Sequence, residues 1–122
     1  MGWITSSIGA VVLVISAASC QLVAPSGLRA AQAPADACMD ALISGRLTQH
    51  PQSGLGITSS DGQATPVEWP FGYTARNDVG RLALVDETGQ VVAHEGDEIM
   101  VGGGFGANMW HACGPVSIVV SD

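Results

Sequence analysis

The sequence predicts an all-β domain, a small barrel or sandwich of about six short strands, and three observations lead to that class. From Asp36 onward, short apolar runs alternate with Gly, Asp and Pro. Two of the breaks, Asp61-Gly62 and Asp86-Glu87-Thr88-Gly89, have the composition of hairpin turns. No stretch keeps a helical period of 3.6 for more than about ten residues. Turn signals at intervals of about 8 to 12 residues are typical of small sandwiches and barrels.

The elements follow in order from these breaks. Gly45 is expected to bend or bulge the first strand. The glycines Gly102 to Gly104 are expected to break a strand, and Gly102 to Gly106 to form a flexible hairpin end. A closed barrel leaves no strand edge exposed, and an OB-like barrel of five or six strands is the favoured form. The predicted strands are 39–49, 54–59, 64–69, 81–85, 90–94, 98–101, 109–112 and 116–120.

The N-terminal segment predicts export. The first 28 residues carry no charged side chain, and residues 8–18, I-G-A-V-V-L-V-I-S-A-A, match the apolar region of a secretory signal. Small residues then precede Cys20, as in the bacterial lipobox, where the cysteine is acylated and becomes the new N-terminus. We therefore expect a signal peptide at 1–19, a lipid-anchored tether at 20–35 and a domain at 36–122.

Two alternatives to lipidation stay open. Ala17 stands where a lipobox usually has Leu, and residues 1–7 contain no Lys or Arg. Plain secretion is the first alternative. The second is an uncleaved anchor, because the 21 residues from Ile4 to Ala24 are uncharged and long enough to span a bilayer. All three hypotheses place the domain outside the cytoplasm, at the outer face of the cytoplasmic membrane or in the cell envelope.

The segment from Val91 to Gly104, V-V-A-H-E-G-D-E-I-M-V-G-G-G, resembles the G-D-x-I/V-x-V/L-x-G turn and strand of OB-like and hammerhead β domains. With W-P-F-G-Y at 69–73 and the lipobox-like Cys20, the chain is similar to small bacterial lipoproteins with an OB-like β-barrel domain. The resemblance covers residues 38–113. It implies a fold and a cellular address, and it brings no activity with it.

The three cysteines are Cys20, Cys38 and Cys113. Lipidation of Cys20 would leave an even pair, so a Cys38–Cys113 disulfide that ties the start of the domain to its end is predicted. Two free buried thiols are the alternative. A zinc site is disfavoured because neither cysteine belongs to a C-x-x-C pair.

The charge balance disfavours several classes of partner. The chain has no lysine, and from residue 36 onward eleven acidic residues stand against Arg46, Arg76 and Arg81. Nucleic-acid binding and polybasic attachment to anionic lipid both depend on Lys and Arg. Without lysine, Schiff-base chemistry, a Walker-type phosphate loop and a biotin or lipoate arm are excluded.

The aromatic residues suggest a binding surface and no catalytic residue. We expect Trp69, Phe71, Tyr73 and Trp110, with Arg76 as a polar group, to contact an envelope protein or a glycan. The alternative is that these aromatics close the barrel core. No G-x-S-x-G motif is present, so a non-enzymatic binding or structural role without a cofactor is predicted, and a small hydrolase is the third hypothesis.

The alternative function is an extracytoplasmic metal-binding protein. His94 and His111, with a carboxylate such as Asp97, are the candidate ligands, because imidazole and carboxylate groups bind divalent transition metals. The carboxylates lie in a turn where acidic residues are common for other reasons. His111-x-Cys113 is also not a typical ligand spacing.

Overall fold

The computed structural model describes residues 27–120, which are all-β and contain no helix. The signal segment, Cys20 and the alternative anchor at 4–24 lie outside the described residues. Between residues 27 and 120, no helix is long and apolar enough to cross a membrane. The eight strands are β1 (Ala41–His50), β2 (Gly54–Thr58), β3 (Ala64–Glu68), β4 (Thr74–Asp78), β5 (Arg81–Val85), β6 (Val91–His94), β7 (Glu98–Gly106) and β8 (Met109–Ile118).

Five of these strands close into a barrel in the order β1-β2-β3-β8-β7, and β1 pairs with both β2 and β7. Every pair in the barrel is antiparallel except β3 with β8, which is parallel. β7 and β8 are the fourth and fifth barrel strands in chain order, and they lie between β3 and β1 in the barrel. The predicted all-β fold class is confirmed.

The strands β4, β5 and β6 form a separate antiparallel sheet, inserted between the third and fourth strands of the barrel. The sequence predicted the β5–β6 hairpin around Asp86 to Gly89, but it missed β4. Ala75, Leu84 and Ala93 of this sheet belong to the same buried cluster as the barrel residues. The insertion therefore packs on the barrel and shares its core.

The barrel interior is filled by inward side chains from every barrel strand. The side chains of Leu47, Leu55, Val67 and Ile99 are fully buried. Trp69 is also fully buried, and its indole nitrogen donates a hydrogen bond of 2.9 Å to the Leu55 carbonyl. A buried indole N–H needs such an acceptor, so Trp69 is a fixed part of the core.

Strand β1 passes from pairing with β7 to pairing with β2 near Gly45. A Cβ atom at this position would lie 2.6 Å from the Thr58 carbonyl oxygen, so only glycine permits this close approach. The register of β1 has no shift at Gly45, so the predicted bulge is not found there, and the bend stays a prediction.

The interpretation of Gly102 to Gly106 as a strand break and flexible hairpin end is wrong. β7 continues through these residues with a register shift between Val101 and Gly103, and β8 is one continuous strand opposite it. The hairpin turn lies beyond them, at Ala107 and Asn108, which both have positive φ. Pairing with β8 supplies the backbone hydrogen bonds that a broken strand would have left unmade.

Residues 28–31, which precede β1, contact the barrel. Leu28 is buried, Arg29 N donates to the Ser53 carbonyl, and Ala31 N donates to the Trp69 carbonyl. Ala30 forms a bridge with Trp69. Residues 28–31 are therefore part of the folded domain, because their backbone groups complete hydrogen bonds at the end of β3.

The β4–β5 hairpin carries a strained residue at its tip. Val79 has φ +53° and is 96% exposed, and Gly80 follows it with φ +84°. Two-residue hairpin loops with positive φ at both positions favour Asn-Gly. A β-branched residue is disfavoured there, because the left-handed conformation costs L-residues about 1–2 kcal/mol.

We expect Val79→Asn to raise the free energy of unfolding by about 1 kcal/mol, because Asn tolerates the left-handed conformation. Urea denaturation of the full chain measures the change. Val120→Asn, which alters a 79% exposed residue outside the strands, is the matched control and should leave stability unchanged. Equal effects of the two substitutions would contradict the assignment of strain to Val79.

A candidate binding cleft beside the disulfide

A disulfide joins Cys38 and Cys113, as predicted, with the two Cα atoms 5.8 Å apart. Cys38 lies in the segment that precedes β1, and Cys113 lies within β8. The bond therefore ties the N-terminal segment across the barrel surface to β8. An open cleft of about 800 Å³ lies next to it.

The cleft is formed where four segments of the chain meet. Its walls come from the N-terminal segment, the β3–β4 turn, the β5–β6 turn and the middle of β8. The walls are partly apolar and the charged groups are all acidic. The β3–β4 turn contributes Pro70, Phe71 and Tyr73 to the lining. The β5–β6 turn contributes Asp86 and Glu87, and the N-terminal segment contributes Asp36.

The β3–β4 turn is the W-P-F-G-Y segment. The Tyr73 amide donates a hydrogen bond of 3.1 Å to the Pro70 carbonyl, and Gly72 at φ +87° makes the sharp turn between them. A Cβ atom on Gly72 would lie 2.7 Å from the Cβ of Glu87. The absence of a side chain at Gly72 therefore lets the two turns pack against each other, and it brings Tyr73 and Glu87 to the same wall of the cleft.

The structure places the residues of the predicted aromatic surface in two environments. Trp69, Trp110 and Tyr73 are 0%, 4% and 8% exposed, so their rings belong to the core. Phe71 is 48% exposed at the cleft, and Arg76 is exposed on β4 without lining the cleft. Of the predicted surface residues, Phe71 and Tyr73 line the cleft, whereas Trp69, Trp110 and Arg76 do not. Hydrophobic burial accounts for the other aromatic rings.

Tyr73 is buried as a residue, and its hydroxyl has no hydrogen-bond partner among residues 27–120. Burial raises the pKa of Tyr73, and the carboxylates of Glu87 and Asp86 raise it further. The phenol is therefore neutral at physiological pH and retains its proton. Buried tyrosine hydroxyls usually find a partner, so this group at the wall of a cleft is available to a ligand.

Asp86 is held in its turn by three hydrogen bonds to one carboxylate oxygen. Its Oδ1 accepts from the Thr88 amide at 2.9 Å, the Thr88 hydroxyl at 2.6 Å and the Gln90 amide at 3.0 Å. These bonds, the one from the Thr88 hydroxyl above all, lower the pKa of Asp86. Asp86 therefore remains ionised and keeps a negative charge at the cleft.

A second polar group lies on the outer face of the barrel around His111. Its Nδ1 is 2.9 Å from Glu68 Oε1, and its Nε2 is 2.9 Å from the Gly106 carbonyl oxygen. Arg29 lies 3.7 Å from the other oxygen of Glu68. A carbonyl and an ionised carboxylate only accept hydrogen bonds, so both contacts are hydrogen bonds at the same time only when the ring is the protonated imidazolium.

The pKa of His111 is raised, chiefly by its hydrogen bond to Glu68. A raised folded-state pKa contributes stability that is complete below the unfolded value of 6.5 and is lost as pH rises through the folded pKa. We expect unfolding free energy to fall by less than about 1 kcal/mol over that interval, because the pair is partly exposed. His111→Gln should remove this part of the pH dependence.

Proton NMR of the His111 ring measures the same effect directly. Glu68→Gln should move the titration midpoint of His111 down toward its ordinary value. Glu98→Gln removes another carboxylate of the barrel, one that lies 3.7 Å from Arg46, and should leave that midpoint unchanged. An unchanged midpoint in Glu68→Gln would show that the hydrogen bond does not control the titration.

The candidate metal ligands each have another partner. His94 Nε2 lies 2.8 Å from Asp78 Oδ2, and the His94 amide donates to Asp97 Oδ2 at 2.8 Å. His111 is bonded to Glu68, as described above. In the described part of the chain, no group of three or more His, Cys, Asp or Glu side chains is placed to hold a metal ion. The metal alternative stays a prediction without a site that supports it.

No family model, curated protein or solved structure matches this chain. Any function must therefore be inferred from the residues of the cleft. Sequence reasoning found Phe71, Tyr73 and the disulfide, but missed Asp86, Glu87 and Asp36 as parts of the same site. Their only signal was acidity within turns, which does not indicate a shared location.

Proposed function

We propose that this chain is an exported, non-enzymatic binding module of the bacterial cell envelope, with the disulfide-bounded cleft as its binding site. The observation that carries the proposal is the cleft itself, which is lined by exposed Phe71 and by Tyr73, whose hydroxyl has no partner among residues 27–120. Ligand sites are typically concave, with apolar walls and a few polar groups that orient the ligand.

The disulfide supports the cellular address. Such bonds form and persist outside the cytoplasm, where the environment is oxidising. Lipidation of Cys20 completes the proposal, since two or more acyl chains anchor a protein stably in a membrane. Because residues 28–31 dock on the barrel, the proposed tether between Cys20 and the domain shortens to residues 20–27.

Intact mass of the protein in the membrane fraction tests the anchor. We expect the mass of residues 20–122 plus acyl chains. A mass of the whole chain would indicate an uncleaved anchor, and a cleaved chain without acyl groups in the medium would indicate secretion. Either result would overturn lipidation at Cys20.

Photocrosslinking in the host cell tests the binding site. A photoreactive amino acid replaces Phe71 at the cleft or, as the matched control, Val79 at the exposed hairpin tip, which does not line the cleft. We expect one discrete adduct with an envelope component from position 71 and none from position 79. No adduct from position 71, or the same adduct from both positions, would overturn the proposal.

A further inference from the structure

The cleft has a one-sided charge. Its charged lining residues are Asp36, Asp86 and Glu87, and none of the four arginines lines it. Within residues 27–120, none of these three carboxylates takes part in an ion pair, whereas Glu68 and Glu98 elsewhere on the domain are paired with Arg29 and Arg46. The cleft therefore holds uncompensated negative charge close to an apolar wall.

The hydrogen-bonding groups of the cleft, like its charge, suit a ligand that donates hydrogen bonds. Carboxylates accept hydrogen bonds and do not donate them, and among the lining residues between 27 and 120 the only side-chain donor is the Tyr73 hydroxyl. Neutral sugars present donors and acceptors in equal measure, and anionic glycans would be repelled. A ligand that supplies several N–H donors and a positive charge matches these groups.

The apolar wall favours a cation on an apolar stem. The ring of Phe71 is half exposed, and Pro34, Pro70 and Pro115 continue the surface around it. A cation over an aromatic face is attracted by the ring quadrupole. Lys and Arg side chains lay their methylene stems along apolar surface while the charged end reaches polar groups.

On the basis of the proposed function, we infer that the occupant of the cleft is a polypeptide segment that carries Arg or Lys. Its cation lies among Asp36, Asp86 and Glu87, its methylene stem lies on Phe71, and the Tyr73 hydroxyl donates to a backbone carbonyl of the segment. The open cleft of about 800 Å³ accommodates more than one residue of such a segment.

The probe is the blocked peptide acetyl-Pro-Arg-Pro-Arg-amide, titrated into the full chain in neutral detergent micelles and followed by amide NMR shifts. The control peptide replaces each Arg by citrulline, which keeps the shape and removes the charge. We expect shifts at the amides of Gly72, Glu87 and Gly114 with the charged peptide and at least tenfold weaker binding of the citrulline peptide. Equal binding of both would overturn the inference.

Matched variants locate the charge effect. Asp36→Asn with Glu87→Gln should weaken binding about tenfold or more, because neither side chain has a hydrogen bond within residues 27–120 whose loss would disturb the fold. Asp40→Asn with Glu98→Gln removes the same net charge elsewhere and should leave binding unchanged. Tyr73→Phe should weaken binding about threefold to tenfold. Equal weakening by the two double variants would show nonspecific attraction to an acidic protein.

A glucosamine oligomer of similar charge is the third arm. Tighter binding of this oligomer than of the peptide would replace the polypeptide by an amino-sugar ligand and overturn the inference. The crosslinking experiment separates this failure from that of the proposed function. If the adduct from position 71 still forms in the variant with Asp36→Asn and Glu87→Gln, the proposed binding site stands. The inference that its ligand is cationic is then overturned.

Discussion

Removal of the Cys38–Cys113 disulfide should lower the free energy of unfolding by about 4 kcal/mol. The bond closes a loop with a sequence separation of 75 residues, and on the chain-entropy model a loop of this length restricts the unfolded chain by about that amount. Small domains have total stabilities of about 5–15 kcal/mol. The loss would therefore leave the domain close to unfolding at ambient temperature.

The measurement is urea denaturation of the full chain with Cys38→Ser and Cys113→Ser, in a background that also carries Cys20→Ser. The Cys20→Ser chain alone is the matched control and should keep its stability until reductant is added. Reductant should then reproduce the loss seen in the double variant. A loss below about 1 kcal/mol, or two titratable thiols in the control without reductant, would contradict a stabilising disulfide.

Substitution of Gly103 should have a comparably large effect. Gly103 has φ +144°, and a Cβ atom at this position would collide with the His111 carbonyl oxygen and lie 2.9 Å from Trp110 Nε1. Backbone strain in this region costs about 1–3 kcal/mol, and overpacking adds a similar amount. We expect Gly103→Ala to lower the free energy of unfolding by about 3 kcal/mol or more.

Gly102→Ala is the matched control for this prediction. A Cβ atom there would lie 3.4 Å from the Cys113 carbonyl oxygen and 3.7 Å from the Ala41 carbonyl oxygen, so nothing large needs to move. Its effect should stay below about 1 kcal/mol. Similar small effects of both substitutions, measured by the same denaturation, would support the flexible hairpin end that the structure replaces with a paired strand.

Several features followed from local chemistry and were accessible in the sequence. Asp61-Gly62 and Asp86 to Gly89 marked two hairpins, because these residues accept the backbone conformations of tight turns. Gly45 lies where β1 changes its pairing partner. The pair Cys38 and Cys113 was found by counting cysteines, with Cys20 assigned to the lipid. Short runs with turn signals between them were enough for the all-β class.

Other features depended on contacts between distant segments, which no local pattern encodes. Gly102 to Gly104 have the composition of a loop, yet pairing with β8 holds them in a strand. Trp69 and Trp110 can serve as surface or core, and only closure of the barrel decides for the core. β4 was missed because T-A-R-N-D has little apolar character, and its strand exists through pairing with β5.

The candidate site also combines features that the sequence predicts with features that only the tertiary structure shows. By itself the sequence determined an all-β domain, its acidity without lysine and the disulfide pair, because each depends on residue type or on neighbours along the chain. Only the tertiary structure decided that Asp36, Tyr73 and Glu87 line one cleft. They come from three segments far apart in the chain, and they meet because Gly72 lets two turns pack together while the disulfide holds the N-terminal segment beside them.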